Sequence, residues 1–314
     1  SCGIDGIYGS EEDEVITCAY TYTASASVIC HVGAKPVLVD CREGSVEMDY
    51  DALERAVNEH TKAVIPVDLG GIPCDYDRIF EILERKKGLF HPSNKLQKAI
   101  GRVAVVEDAA HALGASYKGR TIGSIADFTN FSFHAVKNFT TAEGGALAWK
   151  LKDRDAEEIY HRLQLFSLHG QSKDALAKTK LGSWEYDIVG PWYKCNMTDI
   201  MGAMGIAQFE RYPDMLRRRR ELISRYDSVL KPLGVEVLPH FTEEHTSSGH
   251  LYMTRIPHIG LRERQEIIEK LAEEGVAANV HYKPLPMHTA YKRLGFLIED
   301  YPNSYKLFEN EITL

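Results

Sequence analysis

Residues 103–150 read VAVVEDAAHALGASYKGRTIGSIADFTNFSFHAVKNFTTAEGGALAWK, and the rest of the chain is organised around this stretch. An apolar run, Val103 to Val106, ends in two acids, Glu107 and Asp108. A second run ends in Ser132-Phe133-His134-Ala135-Val136-Lys137, and Glu143-Gly144-Gly145 leads into a third. Short strands that deliver polar groups at or just beyond their C-terminal ends are the layout of an α/β ligand site. The lysine placed there, Lys137, is the first candidate for chemistry.

The flanking sequence supports an α/β class. Strands are expected over Glu14–Tyr22, Lys35–Cys41 and Ala63–Leu69, the last broken by Gly70-Gly71. Helices are expected over Ala24–Val32, Tyr50–Asn58 (after an Asp49 cap) and Tyr76–Lys87, with a loop from Lys87 to Gly101. The strands are apolar throughout rather than alternating, which predicts a mostly parallel sheet covered on both faces. Beyond Lys150 come a helix over Asp155–Leu168, a polar loop over Gly170–Gly190, and a long helical region over Asp199–Leu230 that Pro213 is expected to interrupt. Strand-helix-strand follows in LYMTRI, Glu263–Glu274 and AANVHY. A boundary near residue 211 divides a large domain (1–210) from a smaller C-terminal α/β domain (211–314).

With 314 residues and a net charge of −8, the chain can bury a sizeable core and is not expected to bind nucleic acid. The run Arg217-Arg218-Arg219-Arg220 lies among acids in a helical pattern and reads as a solvated face or a subunit contact. Six cysteines (Cys2, Cys18, Cys30, Cys41, Cys74, Cys195) show no CxxC and no metal-ligand pairing with histidine, so free thiols and no metal are expected. No apolar run approaches the roughly 18 residues of a membrane span, and no signal peptide is recognised; a cytoplasmic location is expected. Ser1 opens the chain without a start methionine and Leu314 ends it within an apolar segment, as in a portion of a longer protein.

A lysine at a buried strand end has two readings. Its stem can cover apolar surface while the amine reaches water, or the amine can sit partly desolvated as a nucleophile or Schiff-base former. Asp108 supplies a nearby acid, and Ser132, Asn138, Thr140 and Thr141 supply donors suited to a phosphate. The glycines after Glu143 fit a tight turn beside the lysine loop, with Glu143 itself structural.

EDAAHALGASYKGRTIGSIADFTNFSFHAVKNFTTAEGGAL closely resembles the DegT/DnrJ/EryC1/StrS family of pyridoxal-phosphate sugar aminotransferases. EDEVITCAYTYTASASVICHVGAKPVLVDC, WYKCNMTDIMGAMGIAQFERYPDMLRRRRELISRY and VHYKPLPMHTAYKRLG resemble the same family in the same order. The resemblance implies a fold-type-I, aspartate-aminotransferase-like homodimer with sites shared between subunits. It implies that Lys137 forms the internal aldimine with pyridoxal 5′-phosphate and then shuttles a proton. By the same resemblance Asp108 pairs with the pyridine nitrogen, His111 approaches the ring hydroxyl or packs in the core, Tyr22 stacks on the ring, and Ser132 binds phosphate. Ser1 falls near the phosphate turn. Lys194 and Asn196 occupy the motif that reaches the partner's cofactor phosphate, although the family often has asparagine and arginine there. His281, Tyr282 and His288 match a small-domain motif near the substrate entrance.

The implied reaction moves an amino group from L-glutamate to a keto group, at C4 by the likeness of SFHAVKNFTTAEGG, of a nucleotide-linked sugar. Three other readings compete. A sugar dehydratase of the same fold has histidine in place of Lys137. A non-catalytic binding or regulatory relative has no chemical need for the Asp108–Lys137 pair. A dinucleotide-binding dehydrogenase calls for a GxGxxG after the first strand, which is missing here.

Overall fold

Strands with apolar residues at successive positions must be covered on both faces, and this chain covers them with helices drawn from the segments between. The computed structural model of the protein describes residues 12–172 and 185–314. Five strands, β1 (Glu14–Cys18), β2 (Lys35–Val39), β3 (Thr61–Ile65), β4 (Ala104–Asp108) and β7 (Phe128–Ser132), run parallel. A sixth, β8 (Gly145–Trp149), lies antiparallel at the edge, with Ser132 opposite Gly145, and the strand order is β2-β1-β3-β4-β7-β8. The expected mostly parallel α/β sheet is therefore present.

Helices α1 (Ala24–His31), α2 (Tyr50–Ala56), α3 (Tyr76–Arg85) and the short α4 (Lys95–Ile100) fill the connections. The Asp49 carboxylate accepts the N–H groups of Asp51 and Ala52, capping α2, and Asp75 caps α3 through the Arg78 N–H. Helix α3 buries Tyr76, Ile79, Ile82 and Leu83 against Ile16, Val64 and Val105, each fully inaccessible to solvent. Two two-residue strands, β5 (Ser116–Tyr117) and β6 (Arg120–Thr121), pair with each other, and β5 also pairs with β10 (His245–Thr246), which ties the C-terminal part to the loop after β4. Between them in the chain lie α5 (Asp153–Ser167), α6 (Asp199–Leu230) and β9 (Glu236–Val237). Strand β11 (Met253–Arg255) sits at the centre of an antiparallel sheet between β9 and β12 (Glu311–Thr313). Helices α7 (Leu261–Glu273), α8 (Thr289–Arg293) and α9 (Pro302–Asn310) complete the chain.

Several expectations need correction. Helix α6 is continuous through Pro213. One lost backbone bond is tolerable because the preceding Tyr212 is buried and its hydroxyl donates to the Leu113 carbonyl at 2.6 Å, fastening the helix where it would break. AANVHY is not a strand. Asn279 and Thr313 exchange two backbone bonds, but the His281 N–H then goes to the Glu311 side chain, so the ladder stops. The loop from Lys87 to Gly101 contains α4, capped by Asn94 and ended by Gly101 with φ 73°. Strand β1 stops at Cys18, leaving Tyr22 in the turn before α1. The expected helical run over Arg217–Arg220 is present, but its side chains diverge. Arg217 and Arg218 pair with Asp214 and Glu221, whereas Arg219 donates to the Gly249 and His250 carbonyls.

Candidate active site

The C-terminal ends of β4 and β7 and the turn before α1 open onto one cavity of about 380 Å³. Tyr22, Asp108, His111, Ser132, Lys137 and Tyr282 all line it, so six of the residues singled out in the sequence converge. Strand period explains the first acid. Consecutive residues point to opposite faces, so Glu107 enters the core while Asp108 emerges at the cavity. Asp108 Oδ2 accepts the Ser25 hydroxyl at 2.6 Å, and Oδ1 accepts the Ala110 N–H at 3.2 Å. Ser25 stands in the first turn of α1, with its oxygen 3.1 Å from Thr21 Oγ1.

Lys137 follows β7 on a loop closed by its own bonds: its N–H donates to His134 O, and the Thr141 N–H donates to Phe133 O, both at 2.9 Å. Burial pulls the Lys137 amine below its usual range, and the Asp108 charge draws it partly back. Amine and carboxylate therefore influence each other across the cavity.

His111 is buried, and its Nδ1 accepts the Gly70 N–H at 3.2 Å. That bond leaves the imidazole proton on Nε2, which faces the Tyr282 hydroxyl at 3.4 Å. Burial, with His250, Lys137 and His281 nearby, holds His111 well below the usual histidine range and therefore neutral. The turn that offers the Gly70 N–H depends on glycine. Gly71 has φ +87°, and a Cβ there would lie 2.0 Å from Ser248 Oγ and 2.8 Å from the His111 carbonyl. Tyr22 is 59% exposed, with its ring 5.7 Å from that of Tyr282, so these two aromatics form the cavity's outer wall.

Other expected residues lie elsewhere. Asn138 is buried and bonded to Ser248 O and His250; Thr140 donates to Phe133 O and Thr141 to Glu143 O. Their donors are consumed within the loop and its support, so of the four expected phosphate donors Ser132 alone lines the cavity. Lys194 Nζ donates to Asn196 Oδ1, and neither is among the lining residues. His281 lies beneath the wall, its carbonyl accepting the Tyr20 hydroxyl at 2.8 Å; His288 is turned to the Lys283 carbonyl at 3.2 Å. Ser1 falls outside the described residues. Sequence reasoning missed Ser25, Gly70 and His250. The small-residue run TASAS before a helix was the signal for Ser25; the other two act through backbone and ring contacts that carry no local pattern.

Comparison with known proteins agrees with this geometry. The family described as DegT/DnrJ/EryC1/StrS aminotransferase matches residues 4–314. The spore coat polysaccharide biosynthesis protein SpsC of Bacillus subtilis is 37% identical over 307 residues, 96% of this chain and 74% of that one. Spr1654 of Streptococcus pneumoniae, assigned as a sugar aminotransferase, is 58% identical in its PMP form with a TM-score of 0.94, covering 98% of this chain and 77% of that one. Its PLP form is 56% identical with a TM-score of 0.92, covering 98% and 76%. PseC of Helicobacter pylori, an aminotransferase of pseudoaminic acid biosynthesis, is 26% identical with a TM-score of 0.80, covering 96% and 74%. Six site candidates gathered at the strand ends of a mostly parallel sheet, and a family match over nearly the whole length, lead to one conclusion: the chain belongs to the DegT/DnrJ/EryC1/StrS aminotransferase family.

Proposed function

We propose that this sugar aminotransferase moves an amino group from L-glutamate to the C4 keto group of a nucleotide-linked sugar, using pyridoxal 5′-phosphate held between Lys137 and Asp108. The single observation that carries the reading is the desolvated Lys137 amine sharing a cavity with the Asp108 carboxylate. The donor set suits the cofactor: a carboxylate for a protonated ring nitrogen, an amine for an aldehyde, an aromatic wall, and a strand-end hydroxyl at Ser132 for phosphate. When bound, pyridoxal phosphate supplies an aldehyde that bonds amines and a ring that accepts the electrons released on proton loss. Lys137 Nζ would be the amine that holds that aldehyde, and its free amine would carry a proton to and from the substrate carbon. Its lowered proton affinity favours the unprotonated amine that a nucleophile must present. Asp108, aimed by Ser25 and Ala110, keeps the ring nitrogen protonated. His111, neutral with its proton on Nε2, is a donor for the ring hydroxyl. Tyr22 and Tyr282 cover the ring face and screen it from water, with His281 and His288 nearer the entrance.

A homodimer belongs to the same proposal. Ile200, Ile206 and Phe209 of α6 are 76%, 68% and 67% exposed, and Tyr193 is 59% exposed, apolar side chains that a second copy would cover. In that arrangement Lys194 and Asn196 serve the phosphate in the second copy's cavity. The division into residues 1–210 and 211–314 places the boundary within α6, and the antiparallel sheet of β9, β11 and β12 supports it. A cytoplasmic location accords with free Cys18, Cys30, Cys41, Cys74 and Cys195.

Borohydride reduction of protein loaded with pyridoxal phosphate should yield a modified peptide containing Lys137; a loaded protein with no such peptide overturns the reading. With glutamate and a panel of UDP-, dTDP- and GDP-linked keto sugars, 2-oxoglutarate should appear with 4-keto substrates. Reaction with 3-keto sugars alone overturns the C4 assignment.

A further inference from the structure

Beneath the cavity, three residues of the C-terminal half hold two groups of the site at once. The Asn138 side chain is 5% exposed and lies next to Lys137 in sequence. Its Nδ2 donates to the Ser248 carbonyl at 3.0 Å, and its Oδ1 lies 2.9 Å from His250 Nδ1. A carbonyl can only accept, so the amide orientation is fixed, and His250 Nδ1 must carry a hydrogen to meet Oδ1. The His250 ring also lies against that of His111, with centroids 4.2 Å apart at 39°. Desolvation by burial, then the Lys137 and Arg219 charges, lower His250 to about 3, so the pair of rings is uncharged and free of mutual repulsion.

Residues Ser248–His250 are themselves immobilised. The Ser248 hydroxyl donates to the His111 carbonyl at 2.5 Å, the Ser248 N–H to Gly71 O at 3.0 Å, and the His250 N–H to Gly70 O at 3.1 Å. Arg219 Nη1 donates to Gly249 O at 3.1 Å and to His250 O at 3.4 Å. The lysine loop closes on itself through Phe133, His134 and Thr141, so Asn138 is where its polar side chains reach this rigid segment.

We propose that Asn138 and His250 are a positioning pair: the Asn138 amide locks the Lys137 loop onto Ser248–His250, and the His250 ring sets His111 from the same anchor. The two site groups that approach the cofactor from different strands thereby share one reference point outside the sheet. The inference rests on the assignment of Lys137 above. It differs in assigning work to a residue contributed by the C-terminal part that does not line the cavity.

The test uses full-length protein and pyridoxal phosphate, and reads the rate at which borohydride traps the cofactor on Lys137 and the circular dichroism of the bound cofactor. Asn places its amide nitrogen where histidine has Nδ1, whereas Gln places it near Nε2, so His250→Asn retains the donor and His250→Gln misplaces it. Both lose the ring, which makes them matched for packing. Asn138→Ala and His250→Gln should slow trapping on the order of tenfold and alter the dichroic band, because small displacements of a reacting group cost rate steeply. In trapping, which reads the Lys137 loop, His250→Asn should stay within about threefold of the unsubstituted protein. In the dichroic band, which reads the cofactor beside His111, it should change as His250→Gln does, because both lose the ring, and an unaltered band in His250→Asn overturns the role given to the ring. Unchanged trapping and dichroism in Asn138→Ala and His250→Gln overturn the proposal, and so does a His250→Asn variant as slow as His250→Gln. Should Asn138→Ala fail to fold, the matched His250 variants decide alone. If the unsubstituted protein traps nothing on Lys137, the underlying function fails; normal trapping in it and in every variant fails the positioning pair alone.

Discussion

Glu107 and Asp108 are neighbours in one strand, and the molecule treats them in opposite ways. Asp108 faces the cavity and keeps two donors, Ser25 and Ala110, beside an opening large enough for a ligand. Glu107 is fully buried, accepting the Thr129 hydroxyl at 2.6 Å and lying 2.6 Å from the Tyr76 hydroxyl, which is also 2.7 Å from Asp68. One hydroxyl has one proton and cannot donate to two carboxylates. Either Glu107 or Asp68 must therefore carry a proton, and burial pushes both upward; the Glu107 charge raises Asp68 further, while hydrogen bonds with Asp68, Thr129 and Tyr76 draw Glu107 partly back. Two acids one residue apart thus have separate tasks: the outward one presents its carboxyl to the cavity, the inward one shares a proton to join the Asp68 turn to β4.

The sharpest way to break this contrast is at Asp108. Asp108→Asn preserves shape and removes the charge, and should lower aminotransferase turnover on the order of 10²–10³-fold while leaving the melting temperature nearly unchanged. Glu107→Gln should leave both turnover and melting temperature nearly unchanged, since a neutral side chain already suits a site that holds a proton. Parallel activity measurements on the two variants check this, and equal losses would erase the distinction.

Next in size is Glu107→Ala. It strands the Thr129 and Tyr76 hydroxyls and leaves a void beside Asp68, and should cost about 3 kcal/mol of stability in urea unfolding. Cofactor trapping on Lys137 should survive in the folded fraction. A loss below about 1 kcal/mol would mean that the buried network contributes little.

How much of this was legible in the sequence follows the same division. Asp108, Lys137, Ser132, Tyr22, His111 and Tyr282 could be named because strand ends and a family-like motif mark them, and the structure brings all six to one cavity. Asn138, Thr140 and Thr141 carry the right functional groups, yet the loop consumes them internally, which composition cannot reveal. Pro213 was read as a break because local rules assign it a lost bond; the buried Tyr212, held by a carbonyl 99 residues away in sequence, decides otherwise. AANVHY carries a strand-like pattern, but its prospective partner gives a side chain, Glu311, where a strand would give backbone. The failures at Asn138, Pro213 and AANVHY involve partners distant in sequence, whereas Thr140 and Thr141 are taken up by their own loop's backbone.

Glu311 gives a third acid against which to set the pair. It is fully buried, and burial pushes its carboxyl to about 8, with the Thr313 hydroxyl, the His281 N–H and Arg264 acting in the opposite sense. A folded value above the unfolded 4.5 means the native state retains a proton that the unfolded chain releases. The stability this group contributes is fully present below about 4.5 and is lost as pH rises through about 8. Melting temperatures measured from pH 5 to 8.5 should therefore fall less steeply in Glu311→Gln than in the unsubstituted protein. The difference between the two curves isolates Glu311 from Glu107 and Asp68, whose raised affinities tilt both curves alike; parallel curves would show that Glu311 does not retain its proton.

The smallest effect is expected at Ser25, where the outward acid is tuned rather than made. Its hydroxyl donates to Asp108 Oδ2 at 2.6 Å, and its oxygen has Thr21 Oγ1 on the other side at 3.1 Å. Ser25→Ala removes that donor without exposing new backbone, since α1 takes no side-chain cap hydrogen bond at Thr23. A hydrogen bond to a carboxylate contributes about 1.5 kcal/mol, so pyridoxal phosphate should bind on the order of tenfold more weakly in a direct titration, with the fold intact. Two outcomes separate what Ser25 does. Weaker binding with normal trapping at saturation means the hydroxyl only steadies Asp108. Unchanged binding means the Ala110 N–H alone aims the carboxylate, and the contrast between neighbouring acids then rests on strand geometry without help from α1.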